Sequence, residues 1–288
     1  MKCFYHNDID GRCAASIVAR WENNYNEEDF IEYNYNEPIP TERISPNEKV
    51  YFVDLSFSEN SVDKLREIVD EKKCHLIWCD HHASSINLLG TYPQYIKIQG
   101  LRKIGISGAA LTWMYLYGCE FEEIPRFIQL VSDFDCWIMK EKDTLNFKYG
   151  IEAKDHDALS PLWNTLVKDD SNGRGQLTYI IMEGKIIRRY VKREYRETLA
   201  EYGYESTLDG YKCLVVNRQA NSLIFGDKMK AYPLVVNWAY DGTRYKYSIY
   251  SEDPNIDCSK IAEKYGGGGH KGASGFTTQE LILRGKKR

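Results

Sequence analysis

The sequence lacks the features of several large protein classes. Its eight cysteines include no C-x-x-C pair, which argues against a zinc ribbon. The longest apolar-leaning stretch, residues 106–117, is interrupted by serine and glycine and is too short to span a bilayer. No apolar signal core follows the first methionine. We therefore predict a cytoplasmic protein in a reducing compartment, with no membrane partner.

An excess of basic charge is also missing. The formal net charge is −4, which argues against a duplex-DNA binder held by a uniformly basic surface. What is present is ordinary for a folded protein: 288 residues, of which 43% are hydrophobic and 28% are charged. At about 100–200 residues per domain, this length favours two domains.

The first half of the chain alternates short apolar runs with helical spacing. Strands that alternate with helices indicate an α/β fold with a parallel sheet. The predicted strands are 3–5, 30–33, 50–53, 76–79 and 95–98, and the predicted helices are 12–25, 61–72, 107–117 and 122–132.

A long helical pattern at 176–202 separates this half from a second group of strands. Its many lysines and arginines are interpreted as a solvated face, with the lining of a polyanion channel as the alternative. Strands at 213–217, 234–239 and 245–250 and a helix at 258–265 follow. We predict a parallel-sheet lobe at 1–145, a helical linker at 146–205 and a smaller α/β lobe at 206–288.

Three of the predicted strands are followed at once by side chains of the types that bind metals. The carboxyl ends of strands in an open parallel sheet line one crevice, so these side chains are expected to converge. Taken singly, Asp8 and Asp10 also suit a turn or helix N-cap and Asp54 a helix cap, and the segment 80–82 also suits a purely structural role. The residues are His6, Asp8 and Asp10 after the first strand, Asp54 after the third, and Asp80, His81 and His82 after the fourth.

Charge explains why such a set needs cations. Several carboxylates around one crevice repel each other unless cations neutralise them. Two divalent ions about 3.5–4 Å apart, with one bridging carboxylate, would do so. Oxygen ligands with one imidazole per ion favour Mn²⁺, with Mg²⁺ as the alternative, over a thiolate-type zinc site. Hydroxide formed there near neutral pH would attack phosphorus in line.

A further ligand is expected from the segment V-S-D-F-D at the end of an apolar helix pattern. Asp133 and Asp135 lie two residues apart there. On a continuing helix they point in different directions, so one of them is expected to reach the metals. The sequence leaves the choice open.

The glycine-rich segment near residue 270 is the second strong signal. One glycine, Gly266, suffices to end the preceding helix, and four in a row exceed that need. Glycines let the backbone approach a ligand, and consecutive N–H groups in such a turn bind anions. A flexible turn without a ligand is the alternative. The expected phosphate-binding residues are Gly267, Gly268, Gly269, His270, Lys271 and Ser274.

These motifs together resemble the DHH phosphoesterase superfamily. The matching segments are H-N-D-I-D-G at 6–11, V-D-L-S around Asp54, D-H-H at 80–82 and G-G-G-G-H at 266–270 with A-S-G at 273–275. The resemblance runs from residue 1 to about 276 and is greatest for the nano-RNase (oligoribonuclease) branch. It implies a parallel-sheet DHH lobe joined by a helical linker to a smaller α/β substrate-binding lobe, with two Mn²⁺ ions as cofactors.

The resemblance also implies a role for each position. His6 and Asp8 would hold one metal, Asp10 and His81 the other, and Asp54 would bridge them. Asp80 would orient a neighbouring group, and His82 would contact the scissile phosphate. Many relatives carry an arginine where this chain reads S-I-Y-S at 248–251, so that contact is left open, with Tyr250 as an alternative.

The function that the resemblance implies is hydrolysis of short oligonucleotides (nano-RNA) to mononucleotides by an exoribonuclease-like, Mn-dependent phosphodiesterase. The expected partner is a short RNA or a dinucleotide, and a homodimer is left open. Alternatives that use the same metal site are a 3′-phosphoadenosine 5′-phosphate phosphatase and a phosphodiesterase of cyclic or linear dinucleotides. A non-catalytic nucleotide-binding module is the alternative from another class.

Overall fold

The computed structural model describes residues 1–34, 38–57, 59–168 and 171–287. The chain divides into two compact units, Met1–Arg188 and Arg189–Arg288. This division does not delimit a separate linker, so the three ranges 1–145, 146–205 and 206–288 stay a prediction. No helix among the described residues has both the length and the apolar character needed to cross a membrane.

A four-stranded parallel sheet forms the centre of the first unit. Its strand order is β2-β1-β3-β4, and all three neighbouring pairs are parallel. The strands are almost continuously apolar and buried, as expected for a parallel sheet covered on both faces. They are β1 (Lys2–His6), β2 (Phe30–Tyr33), β3 (Lys49–Val53) and β4 (His75–Cys79).

Helices bury two apolar cores against this sheet. One core contains Cys13, Ile17 and Phe127, and the other contains Phe52, Leu65 and Trp78. The helices are α1 (Ile9–Glu22), α2 (Val62–Arg66, continued by a π-helical turn at Glu67–Glu71), α3 (Ala83–Thr91), α4 (Gly108–Tyr117), α5 (Arg126–Asp135), α6 (Thr144–Ile151), α7 (Pro161–Val167) and the long α8 (Ser171–Tyr202), which continues into the second unit.

The predicted fifth strand, 95–98, is wrong. Residues Pro93–Tyr95 form a turn of 3-10 helix, because the fixed φ of proline suits the first position of a helix. Tyr95 is buried in this turn, and its hydroxyl donates to Asp70 at 2.8 Å. The apolar residues of this segment therefore pack as a turn, and only isolated bridges at Gln99 and Arg102 continue the sheet.

The second unit contains a seven-stranded mixed sheet in the order β11-β5-β6-β7-β8-β10-β9. Its core includes Val215, Val236 and Ile249 from the central strands and Ile261 from α9 (Cys258–Glu263). The strands are β5 (Gly203–Leu208), β6 (Tyr211–Asn217), β7 (Leu234–Tyr240), β8 (Tyr245–Tyr250), β9 (Gly268–His270), β10 (Ala273–Thr278) and β11 (Lys286–Lys287). The predicted fold class, a parallel-sheet α/β unit followed by a smaller α/β unit, is confirmed.

Candidate metal centre

The β1–α1 junction presents the first two predicted ligands. His6 ends β1, and its Nδ1 lies 2.8 Å from Oδ2 of Asp8. Asp8 is the N-cap of α1, where its Oδ1 accepts a hydrogen bond from the Gly11 amide at 2.9 Å. A Cβ on Gly11 would lie 2.8 Å from the carbonyl carbon of His6, so only glycine fits this junction. Local capping chemistry therefore holds His6 beside Asp8.

Asp10 lies in the first turn of α1, where its carboxylate is buried. Its Oδ2 accepts from the Gly108 amide at 2.7 Å, and its Oδ1 accepts from the Ala109 amide at 3.1 Å. These amides belong to the N-terminus of α4, which favours negative charge. Burial nevertheless raises the pKa of Asp10, with a further rise from Asp8, although His81 opposes it.

Asp54 follows β3 in a left-handed conformation with φ of 54°, which aspartate tolerates. Its side chain is 1% exposed, and neither carboxylate oxygen accepts a hydrogen bond from any residue that the structure describes. Burial raises its pKa well above the ordinary value, and the neighbouring Asp10, Asp8 and Asp135 raise it further. This carboxylate is therefore buried without a hydrogen-bond donor among the described residues, and its nearest cationic neighbours are the imidazoles of His81 and His6, 3.2 Å and 3.8 Å from its oxygens.

His81 lies between Asp54 and Asp135. Its Nε2 is 3.2 Å from Oδ1 of Asp54 and 3.2 Å from Oδ2 of Asp135. Its Nδ1 is 3.9 Å from Sγ of Cys136, a neighbour that the sequence did not indicate. Burial disfavours the imidazolium, but Cys136 and the surrounding carboxylates outweigh it and raise the pKa of His81 to about 10.

Asp80 and His82 form a pair beside this group. Asp80 is fully buried, and its Oδ1 lies 2.7 Å from Nδ1 of His82. Its Oδ2 accepts a hydrogen bond from the hydroxyl of Ser85 on α3. Each carboxylate oxygen of Asp80 thus has a hydrogen-bond partner, and the contact with His82 orients its ring. The centroid of the His82 ring lies 4.5 Å from that of the His81 ring.

Most of the predicted side chains, together with Cys136, form three overlapping groups of possible ligands, in each of which the ligand atoms lie within 4.8 Å of one another. The predicted ligand Asp10 is not in any of the three groups. Buried oxygens of Asp54 and Asp135 have no hydrogen-bond partner among the described residues. Buried carboxylates without hydrogen-bond partners, together with imidazoles, suit a hard divalent cation such as Mn²⁺ or Mg²⁺. The groups are His6 with Asp8 and Asp54, Asp54 with His81 and His82, and His81 with Asp135 and Cys136.

Asp133 lies outside these groups. Its carboxylate accepts hydrogen bonds from the amides of Lys140 and Glu141, both at 3.0 Å, and from the hydroxyl of Thr144. Two residues along a helix rotate a side chain by about 200°, so Asp133 and Asp135 at the end of α5 point in opposite directions. The geometry favours Asp135 as the candidate ligand and gives Asp133 a structural role in the following turn.

We expect asparagine at Asp135 to affect activity and asparagine at Asp133 to affect stability. Asp135→Asn should lower kcat by about 10²–10³-fold, as for the loss of a group that stabilises transition-state charge, without lowering the melting temperature. Asp133→Asn should lower stability by about 1–3 kcal/mol, because buried amides lose a charged acceptor. Thermal unfolding with and without Mn²⁺, combined with kinetics, measures both. A metal-induced stabilisation that vanishes in Asp133→Asn and persists in Asp135→Asn would contradict this assignment.

In the second unit, the glycine-rich segment is partly a strand. Gly269 has φ of 142°, and a Cβ on it would lie 2.7 Å from Cα of Ser274 in the neighbouring β10. A Cβ on Gly267 would lie 2.5 Å from Cβ of Phe276. Close strand packing therefore explains these two glycines, whereas a Cβ on Gly268 would meet no described atom within 4 Å.

The other predicted phosphate-binding residues lie on the same β9–β10 hairpin. Ser274 is buried, and its hydroxyl donates to the His270 carbonyl oxygen at 2.7 Å. His270 and Lys271 are exposed. Tyr250, the alternative to the arginine of relatives, packs against an apolar cluster of the second unit and is half-buried.

Comparisons with known proteins support the sequence resemblance. No protein-family model matches the chain. The uncharacterized protein R106 of Acanthamoeba polyphaga mimivirus is 30% identical over 244 residues, which cover 80% of this chain and 53% of that protein. Oligoribonuclease NrnB of Bacillus subtilis is 26% identical over 304 aligned positions, which cover 97% of this chain and 73% of that protein. The chain thus spans about half of the viral relative's length.

Three solved structures are similar in fold. The DHH domain of a member of the s1p family of ribosomal proteins has a TM-score of 0.51 at 13% identity and covers 95% of this chain and 81% of its own. The pGpG-specific phosphodiesterase PggH of Vibrio cholerae has a TM-score of 0.50 at 12% identity and covers 97% and 94%. RecJ of Thermus thermophilus, in complex with Mn²⁺, has a TM-score of 0.50 at 15% identity and covers 96% and 49%. The resemblance predicted from the H-N-D-I-D-G, V-D-L-S, D-H-H and G-G-G-G-H motifs is thereby confirmed: the chain has the fold of the DHH-domain proteins, and its relatives in sequence include an oligoribonuclease.

Proposed function

We propose that this chain is a metal-dependent phosphodiesterase that hydrolyses short oligonucleotides to mononucleotides. One observation carries the proposal. Buried carboxylate oxygens of Asp54 and Asp135, without hydrogen-bond partners among the described residues, lie beside His81 at the carboxyl edge of a parallel sheet. Because unpaired buried charge is costly, a cation at this edge would stabilise the fold. The similarity to oligoribonuclease NrnB supports short oligonucleotides as substrates.

The candidate ligands form two sets that share the Asp54 carboxylate. Divalent cations bound there would activate a water molecule as a nucleophile and neutralise the charge of a phosphate. Manganese is the proposed metal because the donors are carboxylate oxygens and imidazoles. His6 and Asp8 would hold one cation, Asp10, His81 and Asp135 would hold a second, and Asp54 would contact both.

Backbone and side-chain contacts orient these ligands in advance. The α4 amides of Gly108 and Ala109 hold the Asp10 carboxylate, and the Gly11 amide holds Asp8. Such supporting contacts reduce the reorganisation that binding of metal and substrate requires. Asp80 contacts Nδ1 of His82, so that the imidazole would contact the scissile phosphate through its other nitrogen.

The second unit would bind the end of the substrate. The exposed side chains of His270 and Lys271, at the end of the glycine-rich segment and strand β9, are suited to a phosphate. Gly268 is the position where no described contact explains the lack of a side chain, which is consistent with close approach of a ligand. The proposed binding residues are Gly267, Gly268, Gly269, His270, Lys271 and Ser274.

We expect the protein to hydrolyse dinucleotides faster than long single strands when Mn²⁺ is present, and to lose this activity on exhaustive chelation. Saturating Mn²⁺ should raise the melting temperature by about 5–10 °C, because ligand at 100 times its Kd contributes about 2.7 kcal/mol. The test is chromatography of products from dinucleotides, pentamers, long strands, 3′-phosphoadenosine 5′-phosphate, cyclic dinucleotides and pyrophosphate, together with thermal unfolding.

Other results of this panel would replace the proposal. A preference for 3′-phosphoadenosine 5′-phosphate would identify a nucleotide phosphatase, and a preference for cyclic dinucleotides would identify a messenger phosphodiesterase. Nucleotide binding without hydrolysis of any substrate would identify a non-catalytic module. Equal rates on dinucleotides and long strands would contradict the preference for short substrates, and undiminished activity after chelation would contradict the metal mechanism.

A further inference from the structure

The turn that follows α5 carries large apolar side chains into solvent, and it begins at Cys136, which contacts His81 of the candidate metal centre. Trp137 is 48% exposed and Ile138 is 52% exposed. Trp137 follows Cys136, whose Sγ lies 3.9 Å from Nδ1 of His81. Since consecutive Cα atoms are about 3.8 Å apart, the indole starts one residue from the ligand group.

The backbone of this turn is unfavourable for the residues it contains. Trp137 has φ of 53° and Met139 has φ of 54°, both in the left-handed region. A bulky residue there is an outlier, and such conformations cost about 1–3 kcal/mol each. The conformation does not serve to bury the indole completely, because about half of the Trp137 surface remains in water.

Asp133 enforces this conformation. Its carbonyl oxygen accepts from the amides of Ile138 at 3.0 Å and Met139 at 3.2 Å. Its carboxylate accepts from the next two amides, those of Lys140 and Glu141. The Trp137 amide donates to the Phe134 carbonyl oxygen at 3.0 Å. The backbone of the turn is therefore held by a network of hydrogen bonds, which fixes the point from which the exposed indole projects.

We propose that Trp137 is a stacking surface for a base of the nucleotide whose phosphate lies at the candidate metal centre. This inference rests on the proposed function and extends it from the phosphodiester to the nucleobase. An aromatic face accepts any base and contributes about 1–3 kcal/mol per stacked base. A site that recognised phosphate alone would have no use for an exposed indole. Among the residues that the structure describes, the ring of Phe134 lies beside the indole, with centroids 5.8 Å apart.

The test compares binding of adenosine 5′-monophosphate and ribose 5-phosphate, which differ by the base, to the full chain with Mn²⁺ by calorimetry. Wild type should bind the nucleotide more tightly. Trp137→Ala should raise the Kd of adenosine 5′-monophosphate by about 5- to 150-fold and leave that of ribose 5-phosphate unchanged. Trp137→Phe should retain part of the difference. The same factor should appear in KM for dinucleotides, with kcat within about twofold.

Trp21→Ala is the matched control. Trp21 is 47% exposed and lies eleven residues after Asp10 on α1, about 16 Å along the helix, so its removal should change neither Kd. The metal-induced rise in melting temperature should be the same in Trp137→Ala and wild type, which excludes damage to the metal centre. The proposal would be overturned if wild type bound adenosine 5′-monophosphate and ribose 5-phosphate with equal affinity, or if it bound neither of them. Equal losses for both probes in Trp137→Ala, or an unchanged Kd in that variant, would also overturn it. Failure of the proposed function would instead show as nucleotide binding without hydrolysis.

Discussion

Asp54→Asn is expected to lower kcat on dinucleotides by about 10³-fold while making the metal-free protein more stable. The two effects have one cause. Asp54 is 1% exposed, its oxygens accept no hydrogen bond from a described residue, and its pKa lies well above the ordinary value because of burial and four neighbouring carboxyls. Asparagine has the same shape without the charge, so the metal-free fold should gain about 1–3 kcal/mol.

The readouts for Asp54→Asn are steady-state kinetics and thermal unfolding with and without Mn²⁺. The variant should melt higher than wild type without metal and should lose most of the metal-induced rise. Asp63→Asn provides the control, because the Asp63 side chain is 79% exposed on α2 and only pairs with Arg66. A variant of Asp54 that melts lower than wild type without metal, or keeps wild-type kcat, would show that this carboxylate has a structural role.

Gly108→Ala is expected to damage both the fold and the activity. A Cβ at this position would lie 2.5 Å from Cβ and 2.7 Å from Cα of Asp54. The amide of Gly108 also donates to Oδ2 of Asp10 at 2.7 Å. Backbone must move to relieve the overlap, at a cost of about 1–3 kcal/mol or more. Because the movement displaces two candidate ligands, kcat/KM should fall by about 10²-fold in the protein that folds.

Gly90→Ala is the matched control for this substitution. A Cβ on Gly90 would meet no described atom within 4 Å, and Gly90 lies within α3, where alanine favours the helix by about 1 kcal/mol. Gly90→Ala should therefore keep full activity and melt at the wild-type temperature or above it. Wild-type stability and kinetics in Gly108→Ala would contradict the close packing of α4 against Asp54.

Local patterns account for most of the ligand predictions. His6 is the last residue of β1, Asp54 directly follows β3, and His81 lies two residues after the end of β4. Parallel strands end at the same edge of a sheet, so these side chains converge. Asp8 follows a strand and is also the N-cap of α1. The two interpretations of Asp8, a helix cap and a metal ligand, are therefore compatible. The neighbouring sequence was sufficient to predict the positions of these residues, because a strand and the turn after it are local structures.

Other parts of the site depend on contacts that no local pattern contains. Asp10 meets Gly108, 98 residues away, and the sequence indicated only that a helix begins near there. The choice between Asp133 and Asp135 depends on the rotation of α5 about its axis, which is set by its packing. Cys136 lies 55 residues from His81 in the chain, so only tertiary packing brings the two side chains together. Two of the predicted phosphate-binding glycines, Gly267 and Gly269, also pack closely against β10.

The sequence by itself determined the parallel α/β class, the strand ends that present His6, Asp54 and His81, and the resemblance to the DHH superfamily. Tertiary structure alone decided that Asp135 and not Asp133 joins the group, that Gly108 must lack a side chain, and that Trp137 is held in solvent by the turn around Asp133. The physical reason is the separation along the chain over which each kind of interaction acts. Strand periodicity and capping act over a few residues, whereas the packing of α4 and α5 against the sheet edge joins residues that are distant in the chain.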